Sequence, residues 1–203
     1  MRAAACCVRI QSQLAEAGLA CVRGWGGVFL RIAVALSLLA APAWSSAAAQ
    51  SAFAAAFPGR ILAAHNVERV RAGVAPLAWD DALGTAAAAY ATQMALTGRF
   101  AHSDRAARPG TGENLWMGTH GAFSVEAMVG GWSSEKRFFT AGVFPNVSRT
   151  GNWEVVGHYT QMIWPQTTKV GCAIASTGRI DYLVCRYAYK GNVDGRPVGY
   201  AMR

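Results

Sequence analysis

The sequence lacks the short motifs that mark the common catalytic classes. It contains no H-E-x-x-H zinc-protease motif, no G-x-S-x-G nucleophile elbow, no Walker phosphate loop and no G-x-G-x-x-G dinucleotide fingerprint. Its formal net charge is +8, but the basic residues form no run of five, so nothing indicates a nucleic-acid-binding stripe. Two classes of function therefore remain: ligand binding, and catalysis by residues that meet only in the folded chain. No nucleic-acid partner is expected.

The sequence also lacks an N-terminal apolar run long enough for a membrane anchor. Residues 28–44 are apolar except for Arg31 and Ser37, and only about 13 residues follow Arg31 before Ser45, whereas a spanning helix needs roughly 20. Further arginines precede this run, and Ala47-Ala48-Ala49 supplies small residues for cleavage. We therefore predict that residues 1–49 are a cleaved signal peptide and that the protein is secreted, or periplasmic if the source is bacterial.

Cleavage defines the expected domain organisation. Removing 49 of 203 residues leaves 154, which is enough for one domain with a sizeable core, and lowers the net charge to +5. Residues 50–58 are alanine-rich and end at Pro58, so we interpret them as a short lead-in. Residues 59–203 are the expected domain.

Cysteine is scarce, and three of the five cysteines fall in the predicted leader. The remaining pair, Cys172 and Cys185, lies in two strand-like stretches, residues 169–176 and 180–189, that flank Gly178-Arg179. A two-residue loop that begins with glycine suits a type II′ hairpin turn. Counting outward from that turn places the two cysteines opposite each other in a non-hydrogen-bonded pair, where side chains lie closest. We predict a disulfide, which also argues against a cysteine nucleophile.

Apolar residues recur with helical spacing in three stretches after Pro58. In the first, residues 59–74, the residues on the predicted core face are Ile61, Leu62, His65 and Val70. The residues on its predicted solvent face are Glu68, Arg69 and Arg71.

The other predicted elements are bounded by capping residues. Asp80 or Asp81 can cap a helix over residues 82–98 that Gly98 ends, and Ser124 can cap a third over residues 125–139. Residues 157–164, "GHYTQMIW", predict a short buried helix that Pro165 ends. Residues 99–123 are rich in glycine and predict an ordered loop.

Four ionisable residues lie in apolar surroundings: His102 in "FAHS", Glu113 in "GENLW", Glu135 in "WSSEKRFF" and His158 in "GHYTQMIW". Buried charge is costly unless it is paired, so each needs a partner, and they could meet. Two imidazoles can bind a divalent metal while carboxylates orient them, and the same four could perform acid–base chemistry. The alternative is that each is a surface residue or a satisfied core residue. By the same reasoning, His65 is interpreted as a core or boundary histidine and His120 as solvated.

Six landmarks in order resemble the CAP superfamily of cysteine-rich secretory proteins, antigen 5 and plant pathogenesis-related protein 1. They are "HNVERVRAGVAPLAWD", "AHS", "GENLW", the Trp132-to-Glu135 spacing, "GHYTQMIW" and "YLVCRYAYKGN". The resemblance covers nearly all of the chain after the leader. The sequence departs from the family in two respects. It lacks the further cysteine pairs and the cysteine-rich C-terminal module of some members, and Lys190 stands before Gly191-Asn192 where the family commonly has proline.

The resemblance implies an α+β fold, a three-layer α-β-α sandwich with a small, mainly antiparallel sheet. It also implies a large open cleft lined by His102, Glu113, Glu135 and His158, in which His102 and His158 hold a divalent metal, zinc above all. The expected function is ligand binding, with a lipid, a sterol, or a protein or membrane surface as the partner. A metal-assisted hydrolase is the alternative from another class, and a structural defence or stress protein with a vestigial site is the third.

Overall fold

A computed structural model of the chain describes residues 8–9 and 44–199. Within these ranges the helices and strands, in chain order, are β1 (Val8–Arg9), α1 (Trp44–Arg71), β2 (Ala78–Trp79), α2 (Asp81–Thr97), β3 (Thr111–Thr119), α3 (Val125–Ser133), β4 (Gly142–Val143), α4 (Gly157–Met162), β5 (Lys169–Ser176), β6 (Ile180–Ala188) and β7 (Pro197–Val198). Short 3-10 helices cover Ser134–Phe138 and Trp153–Val156.

The main sheet lies between two helical layers. Its strand order is β1-β3-β6-β5-β2, with antiparallel pairing among β3, β6 and β5 and parallel pairing at both edges. Helix α2 covers one face, and α1, α3 and α4 pack on the other. This is the mainly antiparallel α-β-α sandwich that the resemblance predicts.

Side-chain alternation along the strands produces two separate hydrophobic cores. Leu115 and Val184 pack with Ala87, Ala91 and Met94 of α2. Their chain neighbours Trp116 and Cys185 point to the other face and join the larger core under α1, α3 and α4. Adjacent residues of β3 therefore serve different layers, which matters for the site below.

The predicted caps of α2 and α3 are confirmed. The Asp80 side chain accepts a hydrogen bond from the backbone N–H of Leu83, and the Ser124 side chain accepts one from Ala127. Gly98 ends α2 in the left-handed conformation, with φ of 66°, and its N–H donates to the carbonyl of Met94.

Helix α1 begins earlier than the sequence predicts. The lead-in expected at residues 50–58 is helical, and Pro58 lies inside the helix. Alanine has the highest helix propensity, so the alanine-rich stretch extends the helix on the N-terminal side of Pro58. Most of the predicted signal peptide lies outside the described residues, and its cleavage stays a prediction.

The solvent face predicted for α1 is partly wrong. Arg69 is fully buried and Glu68 is 5% exposed, whereas Val70, expected in the core, is 70% exposed. Ile61 and His65 are buried as predicted, and Arg69 continues their i, i+4 stripe. Its guanidinium donates to four carbonyls, those of Ala75, Met162, Trp164 and Thr167. A cation occupies this buried position because the carbonyl groups at the C-terminal end of α4 lack helical partners and need hydrogen-bond donors.

Two other boundaries differ from the prediction. The stretch predicted to be a loop at residues 99–123 contains β3, because two of its glycines mark close packing rather than turns. A Cβ on Gly112 would overlap the Gln161 amide, and one on Gly118 would overlap the Trp116 ring. The third helix is shorter than predicted, since α3 ends at Ser133 and the chain continues as a 3-10 helix.

The C-terminal hairpin is confirmed in its register. Strands β5 and β6 pair with Cys172 opposite Cys185, and these two residues form a disulfide. Gly178 has a φ of 84°, which a two-residue loop with glycine in first place requires.

Candidate functional site

His102 and Glu113 form a hydrogen-bonded pair beside the start of β3. The distance between His102 Nδ1 and Glu113 Oε1 is 2.7 Å. His102 lies on the segment between α2 and β3, which the Tyr90 hydroxyl anchors by donating to the carbonyl of Ala101 at 2.6 Å. The Glu113 side chain is fully buried and that of His102 is about a quarter exposed, so the imidazole is the accessible member of the pair.

The Glu113 carboxylate is saturated with donors. Ser103 donates to it twice, from its backbone N–H at 3.0 Å and from its hydroxyl at 2.9 Å. Arg186, directly opposite Glu113 on β6, approaches to 3.2 Å. Burial raises the pKa of Glu113, but the hydrogen bond from His102 and the charges of Arg186 and Arg108 together lower it further, so the pKa lies below its usual value. Glu113 is therefore an anion that orients its neighbours.

His158 and Glu135 form the second pair. The distance between His158 Nδ1 and Glu135 Oε1 is 2.6 Å, and the other carboxylate oxygen accepts the backbone N–H groups of His158 and Tyr159 at 3.0 and 3.1 Å. These N–H groups lie in the first turn of α4, where helical partners are missing. Glu135 thus caps α4 from outside the helix and fixes the His158 ring with the same side chain.

The His158 ring is held on its face as well as its edge. Trp132 stacks on it with ring centroids 6.1 Å apart and planes 12° apart, and the Trp132 indole N–H donates to the carbonyl of Leu115. His158 Nε2 is buried and has no hydrogen-bond partner among the described residues. A buried polar atom without a partner is unusual, and a second ligand to that nitrogen would satisfy it.

The two pairs are connected through one residue of β3. Asn114, next to Glu113 in the chain, donates from its side-chain amide to the carbonyl of His158 at 3.1 Å. Since neighbouring strand residues point to opposite faces, Glu113 faces the α2 layer and Asn114 faces α4. The four predicted residues thus form two histidine–glutamate pairs, which lie on either side of β3.

Convergence on a single metal-binding cluster is not seen. Among residues 8–9 and 44–199, no group of three or more histidine, cysteine, aspartate or glutamate residues is arranged to hold a metal ion. A groove of about 920 Å³ has His102 on its wall, whereas the other three members of the set do not line it. Each pair contributes one imidazole that could bind a metal. Because Nδ1 of each ring faces a carboxylate, Nε2 is the atom left to coordinate the ion.

The remaining histidines have other roles. His65 is fully buried, with Nδ1 2.8 Å from the carbonyl of Ile61 and Nε2 2.8 Å from the Tyr187 hydroxyl, which confirms it as a core histidine. Burial lowers its pKa to about 4, an effect only partly opposed by the hydrogen bond to Ile61. His120 is half exposed, yet it contacts the buried carboxylate of Asp181 at 2.7 Å.

Sequence reasoning missed the residues that position the pairs. They are Ser103, Asn114, Trp132 and Arg186. All four stand inside the quoted landmarks, but nothing in the letters says which side chain faces which layer. Arg186 carried a signal that could have been used, since an arginine in an otherwise apolar strand needs a buried partner.

Comparisons with known proteins agree with this architecture. The model of the cysteine-rich secretory protein family, CAP, matches residues 62–187. The chain is 36% identical to pathogenesis-related protein 1C of Nicotiana tabacum over 136 residues, which is 66% of this chain and 76% of the relative. It is 34% identical to pathogenesis-related protein PR-1 of Medicago truncatula over 141 residues, 68% of this chain and 77% of the relative.

Solved structures share the fold. The crystal structure of NaASP2 with Zn²⁺ superposes with a TM-score of 0.59 at 25% identity, covering 69% of this chain and 83% of that one. Venom allergen-like protein 4 of Schistosoma mansoni gives 0.55 at 20% identity, covering 70% and 92%. Within the part of the chain that the structure describes, no helix is both long and apolar enough to cross a membrane.

Proposed function

The chain belongs to the cysteine-rich secretory protein (CAP) family, and on that premise we propose that it is an exported ligand-binding protein with a zinc-capable pair of histidines. The observation that carries the proposal is the buried Nε2 of His158, which has no hydrogen-bond partner among the residues that the structure describes. Glu135 and Trp132 hold its ring in place. His102 is held by Glu113 through the same Nδ1 arrangement, and it lines an open groove.

Zinc suits these residues better than a metal that prefers oxygen ligands. Imidazole nitrogens are common zinc ligands, and a carboxylate on the other ring nitrogen fixes the ring and raises its basicity. When bound, zinc would supply a Lewis-acidic centre with coordination positions left for water or for a polar group of the ligand. The related NaASP2 was crystallised with Zn²⁺, which supports the same metal for this chain.

The groove beside His102 supports a proposal for the ligand class. The groove has a wall from α2 that includes Leu83, Ala86, Ala89 and Met94, and polar residues converge at its other side. Pockets with apolar walls and a few convergent polar groups favour small amphipathic molecules. Lipids or sterols are therefore the proposed ligands, with a partner surface as the alternative.

A metal-assisted hydrolase is less favoured by the contacts of the two glutamates. A general base needs a carboxylate oxygen that can take a proton from water. In both pairs each carboxylate oxygen already accepts hydrogen bonds from histidine, backbone or serine donors. Both glutamates are thus better suited to orienting the imidazoles than to acting as a base.

Native mass spectrometry of protein purified from its own host tests this proposal. We expect a folded species that carries the mass of zinc, a small amphipathic molecule, or both, and a bare chain after denaturation. A native spectrum that contains only the bare chain, with material taken directly from the host without chelators, would contradict it.

A further inference from the structure

The groove beside α2 has a basic end that the metal proposal does not use. Three arginines line it near His102: Arg99, Arg108 and Arg186. The acidic residues nearby are Asp104, which lines the groove, and Glu113, which lies buried behind it. Three guanidinium groups therefore face two carboxylates, and the groove carries an excess of positive charge.

Arg186 is the central residue of this end. It is 6% exposed, and its Nη1 donates to the Ser103 hydroxyl at 3.0 Å and lies 3.2 Å from Glu113 Oε2. Its guanidinium carbon lies 5.3 Å from the centre of the Tyr90 ring, which also lines the groove. Its Nε is buried and has no hydrogen-bond partner within the described residues. The guanidinium is thus held rigidly while one of its donors stays unused.

Glu113 cannot satisfy both neighbouring arginines. Its two oxygens already accept hydrogen bonds from His102 and Ser103. Arg186 Nη1 lies 3.2 Å from one of these oxygens, and Arg108 Nε approaches only to 3.7 Å. Arg108 is held instead by neutral acceptors, the Ser103 hydroxyl and the carbonyl of Thr111, both at 3.0 Å. A positioned cation whose hydrogen bonds go to neutral groups remains available to an external anion.

We propose that this end of the groove, formed by Arg108 and Arg186 with Arg99 at the rim, binds the oxyanion of an amphiphile, a carboxylate or a phosphate. The apolar part of that molecule lies along Leu83, Ala86, Ala89 and Met94 of α2. Guanidinium groups match the planar or tetrahedral oxygens of these anions through paired N–H donors. The inference rests on the proposed ligand-binding function and names the chemistry of its ligand.

Calorimetric titration of the full chain with four matched probes tests the ligand chemistry. The probes are decanoate, decyl phosphate, 1-decanol and inorganic phosphate, each below its aggregation limit. We expect at least one of the two amphiphilic anions to bind about tenfold or more tightly than both the neutral alcohol and inorganic phosphate. The tighter of the two anions identifies the head group. Equal affinity for 1-decanol would overturn the anion site, and equal affinity for inorganic phosphate would overturn the amphiphile.

Charge variants test the location. Arg108→Gln and Arg99→Gln should each weaken binding of the preferred anion, the first by about tenfold. Arg105→Gln removes the same charge from an exposed residue of the same segment that does not line the groove, and it should change the affinity less than twofold. Equal losses of anion affinity in Arg105→Gln and Arg108→Gln would show that the anion is attracted only by net charge, and this would overturn the proposal. Arg186→Lys keeps the charge without the paired donors, and it should also weaken binding.

The zinc proposal and the anion proposal can be overturned independently of each other. Arg99→Gln, at the rim of the groove, should leave zinc affinity unchanged, and titration of the zinc-free protein with the preferred anion measures the anion site alone. Anion binding that persists when zinc binding is absent would retain the inference and overturn only the metal.

Discussion

At the scale of single residues, buried polar side chains decide much of this structure. Arg69 and Glu113 are both buried, and each is satisfied by several partners rather than by one. Removing such a residue costs more than its own contacts, because the groups left behind stay buried without partners. These positions are therefore more sensitive to substitution than their small number suggests.

His65 should make stability depend on pH in a defined window. Its pKa in the folded protein is lowered to about 4 by burial, below the ordinary 6.5, so between these values the unfolded chain binds a proton that the folded chain does not. The free energy of unfolding should therefore fall as the pH drops below 6.5, by about 2 kcal/mol between pH 7 and pH 5. Urea denaturation at the two pH values measures it.

The variant His65→Gln serves as the control for this effect. Glutamine can keep polar contacts in the core but does not titrate, and the other histidines remain in both proteins. The variant should lose clearly less stability than the wild type between the same pH values. An equal loss would assign the pH dependence to other groups.

The sequence shows which residues are unusual here but not how they pair. His102, Glu113, Glu135 and His158 stand out because they are ionisable residues in apolar stretches. Their division into two pairs depends on which face of β3 each partner meets, and this depends on strand register rather than on local composition. Arg69 was assigned to the wrong face for a related reason, since three of its four partners lie more than 90 residues away, beyond any helical periodicity.

At the scale of elements, glycine residues have different structural roles at different positions. Gly98 ends α2 in a left-handed conformation, Gly59 lies inside α1 with open space around it, and Gly112 lies in a strand against Gln161. The turn and cap glycines were interpretable from the sequence because hydrophobic periodicity stops beside them. The strand glycines were not, and β3 was consequently predicted to be a loop.

The same substitution at two of these glycines should have opposite effects. Gly98→Ala should destabilise by about 1 kcal/mol, because an alanine side chain disfavours a φ of 66°. Gly59→Ala should stabilise by roughly 0.5–1 kcal/mol, because a Cβ there meets nothing within 4 Å and alanine favours the helix. Thermal unfolding of both variants checks the pair, and effects of the same sign would contradict the helix assignment at one position.

The β5–β6 hairpin carries its own covalent restraint. The disulfide links residues separated by 13 positions, so replacing both Cys172 and Cys185 with alanine should cost roughly 2–3 kcal/mol. The fold should survive, because a chain of this size buries a core without the bond. Chemical denaturation of the double variant measures the loss, and non-reducing peptide mapping of the wild type should show one linked peptide pair. Two free thiols in material alkylated during extraction would contradict the pairing.

At the scale of the whole molecule, the α-β-α order follows from the alternation of β3 and β6 between two cores. The family landmarks predict this order, whereas composition and periodicity alone predict only that helices and a hairpin are present. Export is the other property of the whole chain, and it is predicted from the leader composition rather than from the fold.

Exported protein should begin close to Gln50, after the Ala47-Ala48-Ala49 site. N-terminal sequencing of protein recovered from outside the cytoplasm measures this directly. Exported material that begins at Met1 or Ala20 would contradict the predicted cleavage.

The central claim is that His102 and His158 bind zinc, and calorimetric titration with zinc at neutral pH tests it most directly. The wild type should bind zinc, with an affinity that weakens as the pH falls through the histidine range, since a protonated imidazole cannot ligate. His120→Ala is the matched control, because it removes another histidine that contacts a carboxylate, and it should bind zinc as the wild type does. The double variant His102→Ala/His158→Ala should remain folded by circular dichroism and bind no zinc. Equal zinc affinity in the wild type and a folded double variant would contradict the account.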